Sequence, residues 1–415
     1  MIARLRAFLG TGTAACVGLV LVGCSAATPP AASETPVAVE DPAAVAIVDD
    51  LANAQFEKRE LASVVVQVRI DGETVTTLAL GDSMTGVPVS EDGHFRNGAV
   101  AIMYMAATML AMADEGLVDI DEPISRWLPE WPGADTATLR MLASMTAGYP
   151  DHVANPDFDA ANDADPFRAW TEDELLAFSS ATPRMFAPGE NWDYSHAGYI
   201  LLGRVLAEAG DAPVDELIAK YVLDPLDLAG TVHDITARMP DPVVHGFTAE
   251  RGTYEDSTYW NPSWTLPAGA IETTTIDDMA SSFDAIVGRG ELLSAESYEE
   301  MIAPALVGFG APLDGCSNCH TLTKEWNYGL GVFIQDDWIL QTPLFGGYQS
   351  AVATLPASSS DRGSVTIAVS AVPGPNSYAD WDISLTNWST ELALQIATQL
   401  VPENPPPAFT HGPPK

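Results

Sequence analysis

Residues 95–123 read FRNGAVAIMYMAATMLAMADEGLVDIDEP. Within them, Gly98 to Ala113 is almost wholly apolar and is bounded by Asn97 and Asp114. The run is too long for a strand and too short for a comfortable membrane span, so it predicts a helix buried on every side.

Working outward, a helix is expected over roughly Ala43 to Glu60, then short strands over Ala62 to Ile70 and Thr74 to Leu80. Asp71-Gly72 joins the strands and is a strong hairpin signal. From Leu117 to Val287 the pattern is helical with long polar loops, as in Thr171 to Ser180, Tyr199 to Gly210 and Val214 to Val222. Strand-like runs return at Leu330 to Trp338, Ser350 to Leu355 and Ser364 to Val372, before a last helix around Leu385 to Leu400. Strands at both ends with helices between predict one α+β domain whose sheet is split by a mostly helical insertion.

Several stretches together carry a family likeness. They are Gly86-Val87-Pro88-Val89, Phe95-Arg96-Asn97-Gly98, the run from Asp114 to Pro123, Leu128-Pro129-Glu130-Trp131 and Met145-Thr146-Ala147-Gly148-Tyr149-Pro150. Pro188-Gly189-Glu190, the run from Tyr194 to Gly203, Pro225-Leu226-Asp227-Leu228 and Tyr328-Gly329-Leu330-Gly331 continue the series. In this order, over about residues 45 to 400, the chain resembles class C β-lactamases, D-alanyl-D-alanine carboxypeptidases (penicillin-binding proteins) and related esterases. The resemblance implies an antiparallel sheet flanked by helices.

It also implies a chemistry. Members of that family use a serine followed three residues later by lysine, because residues so spaced share one helical face and the amine can take the hydroxyl proton. Backbone N–H groups at the helix start help hold the oxyanion. The matching positions here are Ala99 and Ile102, which have neither nucleophile nor base. Shifting the register does not help, since no Ser or Lys lies between Gly93 and Thr108. The family's Tyr-x-Asn loop is represented by Tyr194-Ser195-His196, with histidine in place of asparagine. Its Lys/His-Thr-Gly strand edge is best placed at Gln341-Thr342-Pro343, which has neither cation nor glycine. Loss of a core catalytic residue costs on the order of 10⁴ to 10⁶ in rate. The expectation is therefore a catalytically inactive member that keeps the cleft for a cell-wall peptide, a small molecule, a glycan or a protein partner. The alternative is an active serine hydrolase with non-standard residues, such as His196 acting as a recruited base.

The ends of the chain point outside the cytoplasm. Arg4 and Arg6 precede an apolar, small-residue stretch, Ala7 to Val22, that has the pattern of an export signal. Leu21-Val22-Gly23-Cys24 resembles the lipobox of bacterial lipoproteins, which implies cleavage before Cys24 and diacylation of its sulfur. The expected organisation is a signal over 1–23, a flexible tether over 24–42, the family domain over 43–401 and a disordered proline-rich tail over 402–415. With 18 Lys+Arg against 57 Asp+Glu the formal net charge is −39, which argues against nucleic-acid partners.

Cys316-Ser317-Asn318-Cys319-His320 fits three readings. A local disulfide suits an oxidising compartment; covalent c-type haem, with electron transfer as the function, and a metal clip are the others. Asp157, Asp159, Asp163 and Asp165 crowd what reads as a solvated loop, without calcium-loop spacing. No cofactor or metal is expected.

Overall fold

The computed structural model describes residues 41–234, 236–268, 270, 272–378 and 387–408. The expected signal, Cys24 and nearly all of the tether lie outside the described residues.

The chain enters the domain through helix α1, Pro42–Lys58. Asp41 starts it by accepting from the Ala43 and Ala44 N–H groups, and Pro42 supplies a first-turn position where no donor is needed. Strands β1 (Leu61–Ile70) and β2 (Glu73–Met84) follow as a hairpin, with Asp71 and Gly72 both at positive φ in the turn. The apolar run becomes α2, Val100–Asp114, with almost every side chain buried. Each fully buried Ile, Met or Leu in it contributes roughly 1.5–3 kcal/mol of burial energy. The helical insertion includes α3, His196–Gly210, and α4, Ile276–Phe283. The chain then returns to the sheet through β3 (Phe333–Gln335), β4 (Trp338–Gln341), β5 (Tyr348–Leu355) and β6 (Val365–Pro373). Helix α5, Trp388–Leu400, follows.

Among the described residues the main sheet has nine strands, with β2, β1, β6, β5, β4 and β3 side by side in that order. All its pairings are antiparallel, for example Val66 opposite both Leu78 and Val369, and Val352 opposite Ala368. Alternate residues serve opposite faces. Val64, Val66, Val68, Ile367 and Val369 pack under the terminal helices α1 and α5. Val65, Val352, Ala368 and Val372 face the core built on α2 and the insertion. The architecture is the expected α+β arrangement.

Three local expectations change. The single strand expected over Leu330 to Trp338 is a hairpin, because Asp336 takes a φ of 53° and reverses the chain between β3 and β4. The acidic loop is a helix, Pro156–Ala164, started by Asn155, which accepts from the Asp157 and Phe158 N–H groups. The proline-rich tail begins packed rather than free. The Asn404 carbonyl accepts from Trp338 Nε1 at 2.9 Å, and Asn404 Nδ2 donates to Asp337. Among the described residues no helix is long and apolar enough to cross a membrane.

Candidate functional site

The lead-in to α2 is fixed from both sides. Phe95–Arg96 pairs with Glu272–Thr274, and the buried Arg96 donates to the Thr273 hydroxyl at 3.1 Å. Gly98, at φ 52°, turns the chain into the helix, and Ala99 gives it no side-chain cap. Tyr104, further along α2, is tied to Ser282 of α4 at 2.8 Å.

A cleft of about 270 Å³ opens at this helix start. Ala99, Ile102, Tyr194, His196, Gln341, Thr342 and Pro343 all line it, so the seven positions named from sequence converge. Trp264, Phe333 and Phe345 supply much of the remaining wall.

Tyr194 and His196 arrive on the turn into α3. The Ser195 hydroxyl between them accepts from the Gly198 N–H at 3.1 Å and is consumed as the helix cap. His196 Nδ1 lies 2.9 Å from Asp151 Oδ2, and Ser195 and His196 therefore make no dyad. Burial would raise the Asp151 carboxyl, but His196, His152 and the Val153 N–H hold it below the usual carboxylate range. Burial, reinforced by Tyr328 and Asp151 nearby, pushes the Tyr194 phenol well above its ordinary value, so it stays protonated.

The opposite wall is the end of β4. Gln341 is fully buried and donates from Nε2 to the Gly331 carbonyl at 2.6 Å. Asn387, the α5 cap, holds the following turn through Nδ2, which lies 3.2, 3.1 and 2.8 Å from the carbonyls of Thr342, Pro343 and Ser350. Trp264 closes the space from the insertion side. Its ring stacks on Phe345 at 5.5 Å, and its carbonyl accepts from His152 Nε2 at 2.7 Å.

Asp151 and Trp264 were not reached from sequence. Asp151 directly follows the Met145-to-Pro150 stretch that carries the likeness, so that a signal lay one residue away. Trp264 sits on an irregular loop with no local pattern to mark it.

Cys316 and Cys319 form a disulfide with Cα atoms 5.4 Å apart. Both sulfurs are used, which leaves none for covalent haem. Asn318 between them donates to Asp193 at 3.1 Å, beside Tyr194. Burial, with Asp151 adding to it, raises Asp193 to about 6. Among the described residues no group of three or more His, Cys, Asp or Glu side chains is placed to hold a metal ion.

The family model described as beta-lactamase matches residues 48–385. The chain belongs to the beta-lactamase family. The putative penicillin-binding protein PbpX of Bacillus subtilis is 26% identical over 240 residues, 56% of this chain and 57% of the relative. The esterase EstB of Burkholderia gladioli is 30% identical over 193 residues, 43% of this chain and 49% of the relative. The chain thus spans about half the length of these two relatives. The carboxypeptidase/endopeptidase AmpH of Escherichia coli is 24% identical over 306 residues, 70% of this chain and 75% of the relative. Among solved structures, a D-amino acid amidase from Ochrobactrum anthropi matches with a TM-score of 0.68 at 20% identity, over 87% of this chain and 98% of that one. A D-stereospecific amidohydrolase from Streptomyces matches with 0.66 at 22% identity, over 80% and 96%. At these identities the structural likeness speaks to the fold of this beta-lactamase-family chain.

Proposed function

We propose that this chain is an exported, lipid-anchored member of the beta-lactamase family that binds a ligand in its cleft without forming an acyl-enzyme. The observation that carries this is the head of α2, where the cleft meets the methyl of Ala99 and the hydrocarbon of Ile102. An acyl-enzyme needs an attacking oxygen and a group to take its proton. Neither side chain supplies one. The relatives named for penicillin binding, ester cleavage and peptide cleavage suggest the kind of molecule the ancestral cleft held, while the reaction is lost with the pair. Fluorescent penicillin, followed by intact-mass measurement of the purified chain, tests this. An unchanged mass is expected, and a covalent adduct overturns it.

The anchoring rests on Arg4, Arg6 and the Leu21-to-Cys24 motif. Replacing Cys24 with Ser should move the protein from the membrane fraction to the soluble exported fraction. Equal membrane retention would remove the lipid anchor from the reading.

One observation favours a second reading. His196 is held by a carboxylate and borders the cleft, an arrangement that suits a general base for water. Turnover of an activated phenyl ester that is abolished by His196→Ala would establish it.

A further inference from the structure

Gln341 stands where the likeness calls for a cation. Its Nε2 donates to Gly331, and its Oε1 is buried without a partner among the described residues. On the facing wall, His196 Nδ1 lies 2.9 Å from Asp151 Oδ2, which fixes the ring at the cleft edge. Thr265, which also lines the cleft, donates its hydroxyl to the Pro262 carbonyl, so that oxygen keeps lone pairs to accept with. Gln341 Oε1 and the Thr265 hydroxyl are thus acceptors beside the cleft. Among the described lining residues none is Lys, Arg, Asp or Glu. A carboxylate entering here meets no cation, faces these lone pairs and is opposed by a formal net charge of −39. The rest of the wall is aromatic, with Tyr194, Phe333 and the stacked pair Trp264 and Phe345.

We infer that the cleft selects a small uncharged aromatic ligand bearing N–H donors, such as a primary carboxamide, and rejects the corresponding carboxylate. The inference rests on the binding reading above and specifies its ligand class. It runs against simple inheritance from a carboxylate-anchoring site, because Gln341 and Thr265 offer acceptors where a cation would offer donors.

A matched series tests it on the full chain: 3-phenylpropanamide, methyl 3-phenylpropanoate and 3-phenylpropanoate. Binding is followed by ligand-detected NMR, in which any cleavage is visible in the same sample. The amide should bind about tenfold more tightly than the carboxylate, with the ester between them. Trp264→Ala should weaken the amide by about tenfold, and an unchanged unfolding curve shows that the variant is folded. A carboxylate or an ester that binds as well as the amide overturns the proposal, as does absence of binding by all three; those results leave the non-acylating reading in place. Release of 3-phenylpropanoate from the amide or ester, with the affinity order kept, overturns the reading of a cleft that binds without hydrolysis and leaves the ligand class standing.

Discussion

Pro343 lies directly against the backbone of Gly98: a β-carbon added to that glycine would sit 2.5 Å from Pro343 Cβ. The strand edge and the start of α2 are therefore in contact where a substrate backbone would pass in an acylating relative. Restoring the lost pair with Ala99→Ser and Ile102→Lys should not restore acylation, because Pro343 still fills this passage and Gln341 still offers no cation. The lysine replaces a fully buried isoleucine at the cleft floor, at a cost of about 2–3 kcal/mol. Urea unfolding should show that loss, and fluorescent penicillin should leave the double variant unlabelled. Labelling would mean that the rest of the site has been kept in working order.

Gly331 is the other point of close approach. At φ 76°, with its would-be β-carbon 2.7 Å from Ala106 Cβ and 3.0 Å from the Ile102 carbonyl, it lets the β3 lead-in lie on α2. Its carbonyl also receives the Gln341 amide. Gly331→Ala should destabilise the protein by about 2–4 kcal/mol, combining left-handed backbone strain with overpacking. Equilibrium unfolding measures it, and a change under about 0.5 kcal/mol, the range of neutral surface substitutions, would show that the helix and strand can part freely.

These contacts explain what was legible beforehand. The helix over Gly98 to Ala113 stood out because an unbroken apolar run has few physical alternatives, and the flanking strands because valine-rich runs alternate around Asp71-Gly72. The hairpin of β3 and β4 looks like one strand in the sequence because Asp336 and Asp337 interrupt the apolar pattern too briefly to register as a turn. The cleft positions on α2, at Tyr194 and His196 and on β4 were legible through a likeness in motif order. Asp151 was not, because its bond to His196 spans 45 residues and the motif next to it says nothing of that partner. The shape of the cleft was hidden for the same reason. The stacking of Trp264 on Phe345 and the contact of Pro343 with Gly98 join segments far apart in the chain, and no local pattern encodes them.

Asn387 does two tasks that two substitutions separate. Its Oδ1 caps α5 by accepting from Thr390 N–H, while its Nδ2 serves the carbonyls of Thr342, Pro343 and Ser350. Asn387→Ala should cost about 2–3 kcal/mol, from the lost cap and the buried carbonyls left without a donor. Asn387→Asp keeps the cap but sets an anion against those carbonyls, so it should cost at least as much. If the aspartate variant were as stable as the native protein, the cap alone would account for the residue.

The Cys316–Cys319 bridge closes a very short loop, for which chain-entropy reasoning gives about 2 kcal/mol at most. Replacing both with Ser should lower stability by about 1–2 kcal/mol and free Asn318 from Asp193. Thermal unfolding with and without reductant should show the same loss in the native chain and none in the double variant. A reductant effect that persists in the double variant would place the sensitivity elsewhere.

Asp193 gives the pH dependence its sign. Its carboxyl is raised from an ordinary 3.8 to about 6, mainly by burial, so the folded chain binds a proton there that the unfolded chain has released. Stability from this group is fully present below about pH 3.8 and falls as pH rises through about 6. Asp193→Asn keeps an oxygen for Asn318 and carries no charge, and should therefore be more stable than the native protein above about pH 6. The full shift corresponds to at most about 3 kcal/mol, and the partial exposure of Asp193 reduces that to about 1–2 kcal/mol. The advantage should shrink as pH falls from about 6 toward 4. Unfolding curves of both proteins across that range decide it. An advantage that stayed constant with pH would come from packing, and one that grew as pH fell would reverse the direction assigned to this carboxyl.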